Sequence, residues 1–108
     1  MTRFRCVVQQ DRDADHRRAE LEARLAAHDA AYHPDETPTF EWIAIPAMRM
    51  FTEGRPSTSS IVSCFVSHET TRDFRERYMR GVCDLWTDVT DCGDHEVVVT
   101  TTEPMNEE

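Results

Sequence analysis

Two histidine-containing segments are the first candidates for chemistry in this sequence. His28 follows Leu21 and Leu25 at helical spacing, so it lies on the apolar face of a predicted helix. There it could donate to a ligand or carry a proton, although a half-buried histidine bonded to a backbone carbonyl has the same pattern. His68 and Glu69 are adjacent at a predicted turn. They could be a base and its orienting carboxylate, or two side chains that point apart.

Arg12 and the segment Cys92-Gly-Asp-His95 are weaker candidates for ligand binding. Arg12 lies at a predicted strand-to-helix turn, where an arginine either clamps an anion or is solvated beside the helix. Cys92 and His95 could supply two metal ligands, but the other two are not evident and the sequence has no C-x-x-C. We therefore predict no metal site and no cofactor, and we expect the cysteines to be reduced thiols.

Length and charge restrict the classes of protein that this chain can belong to. Its 108 residues suffice for one domain with one core. The chain contains no lysine, which excludes a lysine Schiff base. A net charge of −9 argues against a nucleic-acid partner, and neither a long apolar run nor a basic amphipathic stretch indicates a membrane. The N-terminal residues lack the apolar stretch of a secretory signal, so we expect a cytoplasmic location.

The hydrophobic pattern predicts four strands and two helices. Strands are predicted over 3–9, 40–46, 61–67 and 96–101, with a turn-rich connection over 47–58. The first helix should begin within 11–15 and end near His33-Pro34. The second should be capped by Thr70 or Thr71 and end near Gly93. Its apolar face consists of Phe74, Tyr78, Val82, Leu85 and Val89, and we expect Trp42 and Trp86 to lie in a core or an interface.

The two halves of the chain resemble each other. Cys6 and Cys64 lie 58 residues apart at matching points of two strands, and Glu41 and Glu96 open the two following strands. The pattern predicts an α/β (α+β-like) domain over 1–108 with pseudo-repeats at about 2–47 and 59–104 and a tail over 104–108. Its four strands should form a mixed sheet with both helices on one face. The other face, bare and apolar, predicts a homo-oligomer.

Several short motifs together resemble one known group. They are Gln10-Asp11-Arg12, Ala27-His28, Phe40, the stretch Phe51-Thr-Glu-Gly-Arg-Pro56, and Glu96-Val-Val-Val. In order and spacing they resemble the tautomerase superfamily, and within it the cis-3-chloroacrylic acid dehalogenase-like group with tandem β-α-β units. The resemblance covers about residues 2–104.

The resemblance implies a homotrimer and a pocket at the start of the first strand. In that pocket a proline amine acts as base or acid on small unsaturated acids, arginines bind the substrate carboxylate, and a histidine late in helix one positions substrate or water. This sequence has Thr2 in the proline slot and Ser67 and Thr70 in the two arginine slots. The residues that the resemblance implies as catalytic are therefore Thr2 and His28, and those implied as substrate-binding are Ser67, Thr70, Arg12 and Phe51.

These replacements change the expected chemistry. If Met1 is removed, the Thr2 amine, with an unperturbed pKa of about 7.7–8.0, could serve as a base with its hydroxyl alongside. A pocket without arginines should not hold a small carboxylate tightly. We expect a divergent isomerase/lyase-type enzyme that transfers a proton on a non-carboxylate or bulkier small molecule. A non-catalytic binding or structural oligomer, and a ferredoxin-like dimeric module of another family, remain alternatives.

Overall fold

Strands and helices follow one another in the predicted order. The computed structural model describes residues 1–52, 54–92 and 96–104. The elements are β1 (Arg3–Gln9), α1 (Asp13–His16), α2 (Arg18–Ala30), β2 (Thr39–Ile45), β3 (Phe51–Thr52), β4 (Arg55–Pro56), β5 (Ser60–Phe65), α3 (Arg72–Thr90) and β6 (Val97–Thr102). None of the helices in the described ranges is long and apolar enough to cross a membrane.

The four long strands form one mixed sheet in the order β2-β1-β5-β6, which confirms the predicted sheet. β1 pairs with β2 in parallel, β5 pairs with β6 in parallel, and the central pair β1–β5 is antiparallel. Arg5 lies opposite Ser63, and these residues occupy the same position in their own halves of the chain, 58 residues apart. The two halves are therefore related by a pseudo-two-fold axis through this pair.

The predicted equivalence of Glu41 and Glu96 is wrong. Phe4 lies opposite Phe40, and Val62 lies opposite Val99, so Phe40 and Val99 are the matching positions. Glu41 lies within β2, whereas Glu96 precedes β6. Strand register follows the buried hydrophobic residues, and an acidic residue near a strand end does not fix it.

The core lies between one face of the sheet and the helices α2 and α3. Phe4, Cys6 and Val8 alternate along β1 and are buried against both helices, as the period of two predicts. Burial raises the pKa of the Cys6 thiol to about 12 and also raises the pKa of Cys64. The other large buried side chains are Leu21, Leu25, Val62, Tyr78, Val82 and Trp86.

The opposite face of the sheet is less apolar than we expected. On this face Arg5 donates a hydrogen bond to the Glu41 carboxylate at 3.0 Å. The guanidinium groups of Arg3 and Arg5 lie 4.7 and 5.4 Å from the centre of the Phe65 ring. Because β1 contributes arginines where its neighbours contribute apolar or acidic side chains, the face mixes charge with hydrophobic surface.

The first helix is interrupted, which corrects the prediction of one continuous helix. α1 ends at His16 and α2 begins at Arg18. Arg17 between them has a non-helical backbone, with φ −118° and ψ 30°. The Asp15 carboxylate accepts from the Asp11 N–H at 2.9 Å and from Arg18, and the Asp11 bond is the main reason why the pKa of Asp15 is lowered.

The second helix begins at one of the two predicted caps. The Thr71 hydroxyl accepts from the Phe74 N–H at 3.0 Å, so Thr71 is the N-cap of α3. The helix ends at Thr90, and Asp91 follows in the left-handed conformation with φ 55°. Gly93, the predicted end, lies outside the described residues. The connection over 47–58 contains the short hairpin β3–β4, which the sequence did not predict.

Candidate functional site

A buried carboxylate lies on the inner face of α2. Asp29 is four residues after Leu25 and is fully buried beside it. Its Oδ1 atom accepts from the Thr2 hydroxyl at 2.8 Å and from the Tyr78 hydroxyl at 2.7 Å, and it lies 2.8 Å from His33 Nδ1. Its Oδ2 atom has no partner in the part of the chain that the structure describes. A buried acid with three converging donors is a polar centre inside an otherwise apolar core.

Two histidines connect this carboxylate with the surface. His33 follows Asp29 by four residues and is almost fully buried. Its Nε2 atom lies 2.7 Å from Nε2 of His68, an exposed residue after β5. The Nδ1 atom of His68 lies 2.7 Å from the backbone carbonyl oxygen of Glu69. Asp29, His33 and His68, named the relay below, form a continuous hydrogen-bonded path from core to solvent.

The partners of the relay determine how many protons it holds. Nδ1 of His33 faces a carboxylate oxygen and Nδ1 of His68 faces a carbonyl oxygen, so each contact needs one hydrogen. The two Nε2 atoms face each other and share one more. Three protons are therefore distributed among the two imidazoles and the Asp29 carboxyl group, so the relay as a whole is uncharged. The shared proton can belong to either ring.

Aromatic side chains of α3 hold the relay in place. The Phe74 ring centre lies 5.4 Å from that of His68 and 6.0 Å from that of His33. Phe74 also stacks on Tyr78 at 5.3 Å. Burial, followed by the bond to Asp29, raises the pKa of Tyr78, so this phenol stays neutral and acts as a donor. The rings exclude water from one side of the relay and limit the orientations of both imidazoles.

A groove of about 380 Å³ lies beside the relay, at the end of the sheet where β1 begins and β5 and β6 end. Its lining includes Met1, Arg3, Phe65, Ser67 and Glu103. The Met1 α-amine donates to the Ser67 hydroxyl at 2.6 Å and pairs with a Glu36 carboxylate oxygen at 2.5 Å. Since Ser67 directly precedes His68, the turn after β5 joins the groove to the outer end of the relay.

A second carboxylate lies at the edge of this groove. Glu103 accepts from the Thr70 N–H at 2.6 Å and from the Thr70 hydroxyl at 2.9 Å. Both bonds lower the pKa of Glu103, and the bond from the hydroxyl has the larger effect. Arg75 in turn donates to the Thr70 hydroxyl at 2.9 Å and to the Thr70 carbonyl at 3.1 Å. The groove therefore has a hydrogen-bonded carboxylate at its edge.

The structure does not bring together all of the residues that the sequence suggested. Ser67 lies in the groove, and Thr70 is bonded to Glu103 at its edge. Thr2 is buried, and its hydroxyl belongs to the Asp29 contacts. Arg12 lines a different cavity of about 350 Å³ together with Trp86 and Cys92. Phe51 is exposed in β3.

His28 packs between the two long helices and contacts the backbone of α3. Its Nε2 atom lies 2.9 Å from the Tyr78 carbonyl oxygen, where an N–H would donate. Its ring lies 5.2 Å from Tyr32 and 5.0 Å from Tyr78, measured between ring centres. It also lies directly against Gly81, where an added Cβ would come within 2.2 Å of the ring. These contacts are those of a half-buried histidine bonded to a backbone carbonyl.

Three residues of the centre, Asp29, His33 and Tyr78, were not candidate site residues in the sequence analysis. Asp29 and His33 have the i, i+4 spacing that places two side chains on one helix face, and this was the available signal. Tyr78 was predicted as a core residue only. His68 was considered with Glu69 as its partner, but its ring faces His33. Within the described ranges, no group of three or more histidine, cysteine or acidic residues is arranged to hold a metal ion.

Comparison with solved structures identifies the fold. The native crystal structure of Ps01740 superposes with a TM-score of 0.86 at 15% identity, covering 94% of this chain and 93% of that one. N1, a member of the cis-3-chloroacrylic acid dehalogenase family, gives 0.85 at 14% identity, covering 97% and 79%. This chain has the tautomerase-like fold. A fused 4-OT symmetric trimer gives 0.81 at 9% identity, covering 94% and 85%. No family model matches the sequence, and no curated protein matches it.

The tautomerase-like fold is thus evident from the backbone and not from overall sequence identity. The short motifs nevertheless predicted it, and that prediction is confirmed. In this fold the groove and the relay both lie where the first strand begins.

Proposed function

We propose that this chain is a divergent tautomerase-superfamily protein that acts as a small-molecule isomerase/lyase-type enzyme by proton transfer next to a carbonyl group. The observation that supports this proposal is the relay, in which a buried carboxylate orients one histidine and that histidine contacts a second, exposed one. A base held by a further oriented group is the arrangement that general acid–base catalysis requires.

In the proposed mechanism His68 exchanges the proton with the substrate. Its Nδ1–H points at the Glu69 carbonyl oxygen on an exposed turn, and a substrate carbonyl oxygen can take that place. When His68 gives this proton to the substrate carbonyl oxygen, the proton shared with His33 moves fully onto Nε2 of His68. The freed Nδ1 atom of His68 then takes the proton that leaves the α-carbon, so the enol forms and the relay returns to its starting state. His33 keeps its bond to Asp29 throughout, and the Thr2 and Tyr78 hydroxyls fix the carboxylate. Thr2 then acts as a positioning residue through its hydroxyl.

The cations at the groove already have partners, and a carboxylate already lies beside Thr70. The Met1 α-amine pairs with Glu36, the Arg3 guanidinium lies over Phe65, and Glu103 accepts from Thr70. We therefore expect no appreciable turnover of haloacrylates or of 2-hydroxymuconate. Neutral carbonyl compounds are the proposed substrate class.

We also propose that the chain assembles as a homotrimer through the open sheet face. Ile43 and Val98 are exposed on that face, and the superposed fused 4-OT structure is a symmetric trimer. Sedimentation equilibrium should then give three times the chain mass, and the mass of a monomer or a dimer would contradict this assembly.

The decisive experiment measures enol–keto conversion of methyl phenylpyruvate, a neutral ester. His68→Gln should lower kcat/KM by about 10²–10⁴-fold, because the amide cannot exchange the proton. His33→Gln should do the same, and His16→Gln, which changes an exposed histidine of α1, should not. The proposal fails if the wild-type chain does not accelerate conversion over buffer, or if His68→Gln is fully active.

A non-catalytic small-molecule-binding or structural oligomer is the second candidate. One observation favours it: both ring nitrogens of His33 and of His68 already have partners within the chain. In a structural role, His68→Gln would change the stability of the protein while the wild-type chain lacked turnover.

A further inference from the structure

We infer that Glu103 occupies, with its own carboxylate, an anion-binding position formed by Thr70 and Arg75 at the edge of the groove, and thereby excludes carboxylate ligands. This inference deepens the proposed function, because it concerns the substrate class of the same groove. It concerns binding alone, however, and can be tested without turnover.

The position has the donors that a carboxylate needs. The Thr70 N–H and hydroxyl both donate to the same oxygen of Glu103, at 2.6 and 2.9 Å. Arg75 donates to the Thr70 hydroxyl, so that the hydroxyl hydrogen is directed at the carboxylate. Arg75 and His68 add positive charge that favours the ionised form of Glu103. Two direct bonds and the nearby Arg75 guanidinium make a site for one negative group.

The location of Glu103 connects this site with the groove. Glu103 directly follows β6 and lines the groove together with Phe65, Pro104 and Ser67. An apolar ligand that lies against Phe65 would bring a terminal carboxylate towards Thr70. It would meet the ionised Glu103 there, and two like charges repel. A neutral ligand of the same shape would meet no such repulsion.

The test compares two ligands that differ only in charge, namely 3-phenylpropionate and 3-phenyl-1-propanol, by isothermal titration calorimetry. The wild-type chain should bind the alcohol more tightly than the acid. Glu103→Ala vacates the position and should tighten binding of the acid at least tenfold, with little change for the alcohol. Arg75→Gln in the Glu103→Ala background should abolish this gain.

Glu20→Gln is the matched control, because it removes one negative charge at an exposed position of α2 and should leave both affinities unchanged. Thermal unfolding of each variant checks that it is folded, and Glu103→Gln, which keeps the size of the side chain, replaces Glu103→Ala if the latter is not. Three results would overturn the inference: tighter binding of the acid than of the alcohol by the wild type, an unchanged ratio in the Glu103 variant, or no binding of either ligand to any variant. Because no result depends on catalysis, inactivity towards methyl phenylpyruvate would leave the inference standing.

Discussion

The two halves of the molecule have similar backbones but bury side chains of different chemistry. In the first half Thr2, Asp29 and His33 form a buried polar centre at the start of β1. The positions 58 residues later are Ser60, Thr87 and Asp91. Ser60 is buried, but the other two are not, and α3 instead contributes Trp86, which stacks on Trp42 at 6.1 Å. A repeated backbone therefore does not repeat the polar interior.

This difference bears on why the first half contains a buried carboxylate. Buried ionisable groups stabilise a fold no better than well-packed apolar groups of similar volume. Thr87, at the position that matches Asp29, is only half-buried, and Trp86 matches His28. The repeated backbone therefore does not require a buried carboxylate, and the proposed proton transfer would give the polar centre a chemical role.

The largest expected effect comes from removing the buried carboxylate. Asp29→Ala leaves the Thr2 and Tyr78 hydroxyls without their acceptor and His33 without its counter-charge. We expect a loss of about 3–5 kcal/mol in the free energy of unfolding, measured with urea at pH 7. Thr87→Ala, at the matching position of α3, should cost less than about 1 kcal/mol. Similar losses at both positions would contradict the proposed asymmetry.

An intermediate effect on the free energy of unfolding should come from Cys6 and Cys64, where the two halves are alike. The pKa of both buried thiols is raised, that of Cys6 from 9.0 to about 12. Above pH 9 the unfolded chain ionises these thiols while the folded chain keeps them protonated, so their contribution is complete below pH 9 and is lost as the pH rises. Between pH 8 and 10 we expect a loss of about 1–2 kcal/mol per thiol.

The same urea titrations on the variant with both Cys6→Ala and Cys64→Ala provide the control. This variant is less stable at every pH, but the thiol part of its pH dependence should be absent. An identical slope in the two proteins would show that these thiols ionise in the folded state.

The smallest effect is expected at Gly81, whose counterpart in α2 is Ala23. Gly81→Ala would force the His28 ring to move and would break its bond to the Tyr78 carbonyl oxygen. We expect a net loss of about 1 kcal/mol, since the better helix propensity of alanine offsets part of the cost. In a His28→Ala background the same change should stabilise the protein by about 1 kcal/mol. A double-mutant cycle by urea unfolding measures this coupling, and additive effects would exclude it.

Much of the fold could be predicted from the sequence because the hydrophobic period and the turn residues can be recognised within short segments. The first strand was predicted over 3–9 and is Arg3–Gln9, and Thr71 was one of two predicted caps. The interruption at Arg17 was missed, and in the structure it coincides with bonds from Asp11 and Arg18 to the Asp15 carboxylate. Such side-chain bonds leave little trace in the hydrophobic pattern.

The candidate site was less predictable because its residues are distant in sequence and meet only through tertiary contacts. His68 is 35 residues from His33, and Tyr78 is 49 residues from Asp29. Helical period shows that position 29 lies near the apolar face of α2, but not that three donors converge on its carboxylate. His28 satisfied the period equally well and lies at a helix contact instead.

The antiparallel seam between β1 and β5 has a consequence for how this protein is made. The two central strands of the sheet are separated in sequence by a complete helix, the strand β2 and a hairpin. During synthesis, β1 can pair with β2 early, but its other edge stays bare until β5 has left the ribosome. A bare strand edge readily pairs with other chains. Nascent chains on one messenger are therefore exposed to misassembly for the time it takes to translate this interval.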